Sequence, residues 1–365
     1  MTRFAILMAL VCLAAEAQSP LERAVSLARE RRYPEAQALL RGVAEPVPAP
    51  QRIAFHRLKA AVESGLNNAA GAAAEMERAL RLAPSDPGLL LATAVAEHAA
   101  GNLDLALLHA MAAPGNAPAQ ALGAGIQELR NKLPEAIAAW REAARLDPTR
   151  EAYRAGFASA LIRDQNFDVA IDALRAILPL FPGSAHLTTL LGIAQFARGD
   201  SDEASRTLSA AITLDPGSEP AFIALTQIAL QASAAPDSVI VKQLCGWNPS
   251  VCAALRLREA REAGDDALQA ASIKTLEQAP QTDIVAHCEL ARAREWTNRL
   301  PEARTEMEKC VAASPSPQNH YRLGLIYRRL GLAALARREM ETRQRLLNGQ
   351  SEGAAEGQIL LKRVR

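Results

Sequence analysis

Small and apolar residues climb the chain on a fixed ladder. From Ala136 the steps run to Trp140, Ala143 and Pro148, that is four, three and five residues apart. The same steps fit Ala170, Leu174, Ile177 and Pro182, then Ala204, Leu208, Ala211 and Pro216, then Ala303, Met307, Cys310 and Pro315. They also fit Ala72, Met76, Ala79 and Pro84, and Ala36, Leu40, Val43 and Pro48. Intervals of four and three put these side chains on one stripe of a helix of roughly two and a half turns. The proline then stops that helix. Ahead of each stripe lies another helical stretch, ended by a turn at Gly101-Asn102, Gln165-Asn166, Gly199-Asp200, Asn298-Arg299 or Gly331. The pattern predicts helix hairpins of roughly 34 residues.

A short phrase keeps the same ruler. Tyr33-Pro34-Glu35-Ala36, Leu133-Pro134-Glu135-Ala136 and Leu300-Pro301-Glu302-Ala303 recur near whole multiples of the repeat. Proline loses no hydrogen bond in a first helical turn, and glutamate suits the positive helix end, so the phrase reads as a folding device. Leu191-Gly192 and Leu323-Gly324 precede their turns and let two helices approach closely. One hairpin cannot bury both of its apolar faces; stacked neighbours do. The ladder fails between about 234 and 282. There Ala234 to Ser238 offers no small-residue stripe and Cys245-Gly246-Trp247-Asn248-Pro249 reads as an irregular turn, although 250–279 can still form a hairpin turning at Gly264-Asp265.

These slots resemble the tetratricopeptide repeat family. The matches are clearest over 151–184, 185–218 and 317–350, where Leu323, Gly324, Tyr327, Ala336 and Met340 fall on signature positions. The resemblance implies an all-α, right-handed α-solenoid of stacked helix-turn-helix hairpins. The expected division is a leader over 1–17, an N-terminal array over 18–233 and a degenerate or joint segment over 234–282. A C-terminal pair over 283–347 and a tail over 348–365 complete it. The tail reads as loose, with Ile359 to Leu361 as a candidate cap.

The family lines its concave groove with the first helix of each hairpin. The corresponding slots begin with Leu91, Val95 and His98 and end with Arg292, Trp296, Tyr321, Leu325 and Arg328. The central stretch is the candidate partner site: Ser159, Ile162, Arg163, His186, Thr189, Ile193, Phe196, Ile223, Gln227 and Leu230. The carboxylate clamp of lysine, asparagine and arginine known from co-chaperone members is absent from 151–230. An apolar groove with polar edges suits an extended or helical segment with hydrophobic anchors. Packing between neighbouring hairpins is the competing reading for each of these residues.

Charge and composition narrow the field. With 41 basic and 40 acidic residues there is no electrostatic footprint for nucleic acid. Arg3, the apolar run Phe4 to Ala15 and the small-x-small stretch Ala15-Glu16-Ala17 read as an export signal cleaved near Ala17, too short to span a bilayer. Cys12 follows Val11, which fits lipoprotein cleavage poorly. Four cysteines then remain, and three pairings are open to them. The spacing favours Cys245 with Cys252 and Cys288 with Cys310, the second pair lying at similar heights in one hairpin. Four buried thiols is the alternative. No histidine pairs in a metal-ligand pattern, and no phosphate loop or nucleophile elbow appears. The expectation is a non-enzymatic, exported scaffold for a protein or peptide partner, without a cofactor or metal and without a membrane span in the mature chain. The alternative is an envelope assembly factor that acts through its convex surface or its ends.

Overall fold

The computed structural model describes residues 19–231 and 236–349, together with Ala354, Ala355, Gly357, Ile359 and Leu361 of the tail. The expected leader lies outside them. Among the described residues there are twenty α-helices and no strand, the all-α class expected from the periodicity. The chain divides into two compact units, Met1–Asp147 and Pro148–Arg365.

The first unit stacks four hairpins: α1 (Pro20–Arg29) with α2 (Tyr33–Arg41), α3 (Ala49–Gly65) with α4 (Ala69–Leu82), α5 (Pro87–Ala99) with α6 (Leu103–Met111), and α7 (Ala117–Leu129) with α8 (Leu133–Leu146). Its core runs from Ala24, Leu27 and Phe55 to Met76, Leu90 and Ala119. The second unit stacks six: α9 (Glu151–Arg163) with α10 (Phe167–Ile177), α11 (Ala185–Arg198) with α12 (Ser201–Leu214), α13 (Glu219–Gln231) with α14 (Ser238–Trp247), α15 (Pro249–Ala263) with α16 (Asp266–Glu277), α17 (Ile284–Trp296) with α18 (Leu300–Ala313), and α19 (Pro317–Arg329) with α20 (Ala333–Leu347).

One backbone device sets the hairpin length. Each described turn inside a hairpin holds a residue in the left-handed region: Arg31, Asn67, Gly101, Asn131, Gln165, Gly199, Gly264, Asn298 and Gly331. The next N–H reaches back five residues, as from Asn166 to the Leu161 carbonyl and from Asp200 to that of Gln195, both at 2.9 Å. That bond satisfies carbonyls orphaned at the helix end and reverses the chain. Five residues past the left-handed position sits the small ladder residue. Ala36, Ala106, Ala136, Ala170, Ala204 and Ala303 are there at 0 % exposure. In the α15–α16 hairpin the same count from Gly264 reaches Gln269, which is only half-buried. The ladder therefore vanishes from the sequence at a place where the hairpin persists.

Glycine carries the close approach at two equivalent positions. A Cβ on Gly192 would lie 2.6 Å from Leu208 Cγ, and one on Gly324 would lie 2.7 Å from Met340 Cε. The recurrent Pro-Glu opens α2, α8 and α18 with proline in the first turn. Glu35 there accepts two hydrogen bonds from Arg32, at 2.8 and 2.6 Å.

Two local readings need correction. The stretch from Cys245 to Pro249 is no irregular turn, because α14 continues through Trp247. Only Asn248 leaves the helix, extended at φ −144° and ψ 121°, and its side chain caps α15 by accepting from the Ser250 and Val251 N–H groups. Pro249 forces its predecessor out of the helical region and then opens the next helix. The tail is not loose throughout either. Ala354, Ala355, Gly357, Ile359 and Leu361 are helical, and Leu361 is 1 % exposed.

Candidate functional site

In the second unit the first helices of successive hairpins pack side by side, α9 on α11, α11 on α13, α13 on α15 and α15 on α17. The second helices cover one side of this layer. The candidate partner residues lie along it, at slots that recur with the repeat. α11 begins at Ala185 and α13 at Glu219, so Thr189, Ile193 and Phe196 occupy the slots of Ile223, Gln227 and Leu230.

These slots differ sharply between the two helices. In α11, Thr189, Ile193 and Phe196 are 1 %, 0 % and 6 % exposed, and every residue from Leu187 to Ala197 is buried. The tail accounts for part of this closure. Gly357 sits against Ala197, where even a Cβ would come within 2.4 Å of the alanine Cβ. Leu361 lines a cavity with Ala155, Ser159, His186 and Leu190. On α9, Ser159 and Ile162 are buried and Arg163 is half-buried; His186 on α11 stays exposed. In α13, by contrast, Ile223, Gln227 and Leu230 are all partly exposed. They line an open cavity of about 520 Å³ that also takes in Trp247, Cys288 and Arg292.

Polar groups line this open cavity. Thr226 is 6 % exposed and its Oγ1 has no hydrogen-bond partner. Arg292 is 9 % exposed. Its Nη1 donates to Glu289 at 2.6 Å and to the Leu230 carbonyl at 3.2 Å, whereas its Nε has no partner. A buried donor left unmade costs its full desolvation.

Two family models described as tetratricopeptide repeat match the chain, over residues 129–185 and 161–228. Residues 129–228 of the chain are tetratricopeptide repeats. No curated protein matches it. Solved structures similar to it include a tetratricopeptide repeat protein from Parabacteroides merdae, 14 % identical, which covers 75 % of this chain and 98 % of its own at a TM-score of 0.49. The Cut9–Hcn1 hetero-tetramer of the APC/C is 15 % identical, covering 96 % of this chain and 64 % of that one at a TM-score of 0.45. YrrB, described as a TPR protein with an unusual peptide-binding site, is 18 % identical over 56 % of this chain and 98 % of its own, at a TM-score of 0.42.

Two disulfides flank the open cavity. Cys245 of α14 bonds to Cys252 of α15, with Cα atoms 4.3 Å apart. Cys288 of α17 bonds to Cys310 of α18, with Cα atoms 5.0 Å apart. Trp247 stacks on Phe222, ring centroids 5.1 Å apart, so the joint packs back onto α13. Arg261 of α15 lies 3.8 Å over the Trp296 ring of α17, tying those two helices at the surface.

One recurrent constellation is missing from the sequence reading. His56 and Glu75, His287 and Glu306, and His320 and Glu339 are each 19 residues apart and each hydrogen-bonded across a hairpin, at 2.8, 2.5 and 2.6 Å. The signal was a spacing: in each case the histidine stands 16 residues before the ladder alanine (Ala72, Ala303 and Ala336) and the glutamate three after it. Burial alone pushes the Glu306 carboxyl up, but hydrogen bonds from His287 and Lys309 outweigh it and hold the group below the ordinary glutamate value. For Glu75, burial is likewise outweighed by His56 and Lys59. His287 Nε2 also faces the Gln281 carbonyl at 2.9 Å, so both ring nitrogens meet acceptors. These pairs clamp first helix to second. Among the described residues no cluster of three or more His, Cys, Asp or Glu is arranged to hold a metal ion. No described helix is long and apolar enough to cross a membrane.

Proposed function

We propose that this tetratricopeptide repeat protein is a non-enzymatic interaction scaffold. It holds a segment of a protein partner along the first-helix face of its second unit. The observation that carries the reading is the open cavity of about 520 Å³ at Ile223, Gln227 and Leu230, with Thr226 Oγ1 and Arg292 Nε as unmet donors beside apolar walls. A bound segment presents apolar side chains and main-chain carbonyls together, and both find counterparts there. The disulfides support an exported protein, since such bonds persist in oxidising compartments. They fit a leader over 1–17, and the chain isolated from an envelope fraction is expected to start at Gln18 by N-terminal mass spectrometry.

The test of the scaffold reading is partner capture from envelope extracts. Ile223→Glu with Leu230→Glu puts two carboxylates into the cavity wall. Capture is expected to disappear while the helical circular dichroism stays unchanged. Undiminished capture by that variant rejects the reading.

One observation favours a second surface. Leu105, Leu108 and Met111 lie three residues apart along α6 and are 43 %, 60 % and 65 % exposed. An apolar stripe on a second helix suits assembly through the outer side of the first unit. Leu108→Glu then breaks recovery in large assemblies and leaves capture by the cavity untouched.

A further inference from the structure

The far end of the second unit carries a cleft of different chemistry. Among the described residues Trp296 and Tyr321 are the only exposed Phe, Trp or Tyr side chains, at 38 % and 41 %. Both line one cleft of about 470 Å³ between α17 and α19, with Leu325 as a third apolar wall. It shares no lining residue with the cavity at Ile223, Gln227 and Leu230. Tyr321, Leu325 and Arg328 are spaced i, i+4 and i+7, one stripe of α19. Aromatic rings left wet in a concave site are best covered by an apolar side chain from a ligand.

The charge around the cleft is one-sided. α19 holds Arg322, Arg328 and Arg329 and no acidic residue. Arg322 and Arg329 line the cleft, and two further guanidiniums lie over its rings. Arg261 is 3.8 Å from the Trp296 centroid, and Arg343 is 5.3 Å from that of Tyr321. Glu295 is the one carboxylate in the wall, and it already accepts from Arg329 Nη1 at 3.1 Å. Arg328 is exposed and makes no ion pair among the described residues. The last hairpin, 317–347, has seven arginines and two glutamates, whereas 148–316 has 16 basic and 21 acidic residues. The arginines of α20 have an ordinary use, because the last helix of a stack keeps a polar outer face. That use does not extend to α19, a first helix, whose arginines stand beside the two rings.

We propose that the α17–α19 cleft binds an acidic polypeptide segment in which side-chain carboxylates flank a large apolar residue. The apolar side chain covers Trp296, Tyr321 and Leu325, and the carboxylates meet the arginines of α19. A long polyanion fits less well, since beyond the last hairpin it meets the net negative charge of 148–316. A bilayer surface does not enter a cleft. No lysine or asparagine lines it, so it is not the clamp that co-chaperone members use for a chain terminus. The inference stands apart from the cavity at α13, and either can fail alone.

The experiment is fluorescence anisotropy on the full, oxidised chain with three labelled peptides. They are Gly-Glu-Asp-Phe-Asp-Glu-Gly, a copy with Gln and Asn in place of the acids, and a copy with Ala in place of Phe. The first is expected to bind, and more weakly as salt is raised. Arg328→Glu with Arg329→Glu weakens it roughly tenfold and leaves the amide copy unchanged. Trp296→Ala weakens it by a similar factor and leaves the alanine copy unchanged. If the double variant fails to fold, Arg328→Gln makes the same comparison with a change of about threefold. No binding of the acidic peptide, equal binding of the amide copy, or binding that the α19 variants do not diminish overturns the proposal. So does heparin or a thymidine oligonucleotide binding more tightly than the peptide and without need of Trp296, which marks a general polyanion patch. Ile223→Glu with Leu230→Glu is expected to leave peptide binding unchanged, so partner capture lost there and peptide binding lost here report on separate readings.

Discussion

Helices α11 and α13 are neighbours in one layer and offer the same slots, yet α11 is closed and α13 is open. Ile193 and Gln227 are equivalent by count; the first is fully buried and the second partly exposed. The contrast teaches that a repeat slot is an address, not an environment. The environment depends on what else reaches it. Gly357 and Leu361 reach the α9–α11 stretch, whereas the stretch at α13 and α17 is left with an open cavity and unmet donors.

The sharpest way to break this contrast is a matched pair of charges. Ile193→Glu buries an unpaired carboxylate and is expected to cost about 3–5 kcal/mol, while Gln227→Glu at the open slot stays within about 0.5 kcal/mol. Urea denaturation measures both. Equal losses would mean that the two slots share one environment. Because Ile193 is fully buried, charge placed there reports on folding, and Ile223 and Leu230 are the better probes of partner binding.

The disulfides sharpen the open side. Replacing Cys288 and Cys310 together by serine frees a loop with a sequence separation of 22. The chain-entropy relation gives a loss of about 3 kcal/mol, read as a lowered thermal midpoint. On the closed side, Gly192→Ala places a methyl 2.6 Å from Leu208 Cγ. Overpacking of that kind costs about 1–3 kcal/mol by urea denaturation. An unchanged midpoint would show that α11 and α12 have room to separate.

The mildest effect expected is on acid stability. Glu75 and Glu306 titrate lower in the folded chain than in the unfolded chain. Their contribution is therefore complete above the ordinary glutamate value of about 4.3 and is lost as the pH falls below it. A thermal-midpoint series against pH should fall on that acid side, and Glu306→Gln should flatten the fall. At the other extreme, burial and the hydrogen bond to Glu308 push the Tyr327 hydroxyl up to about 12. Its contribution is complete below pH 10 and fades as the pH rises toward 12; Tyr327→Phe removes that alkaline limb.

Much of the molecule was legible from residue spacing. The ladder from Ala36 to Ala336, the turn residues and the close-packing glycines all concern neighbours within one hairpin, and local periodicity reports such neighbours. The 19-residue step from histidine to glutamate was equally local and could have been found by aligning the hairpins on their ladder alanines. The joint at Cys245 to Pro249 was misread because proline marks the start of a helix as readily as the end of one. Gln269 breaks the ladder there, yet the hairpin expected to turn at Gly264-Asp265 is present, because Gly264 and the neighbouring helices hold it in place.

By itself the sequence determined the helix period, the hairpin length and the all-α class, because these follow from interactions a few residues to one hairpin apart. Only the tertiary structure decided which slots are free. Gly357 stands 160 residues beyond Ala197 (357 less 197), and no period of 34 foretells that contact. A repeat writes the same address in every hairpin, while occupancy comes from a long-range contact between two helices that share no pattern.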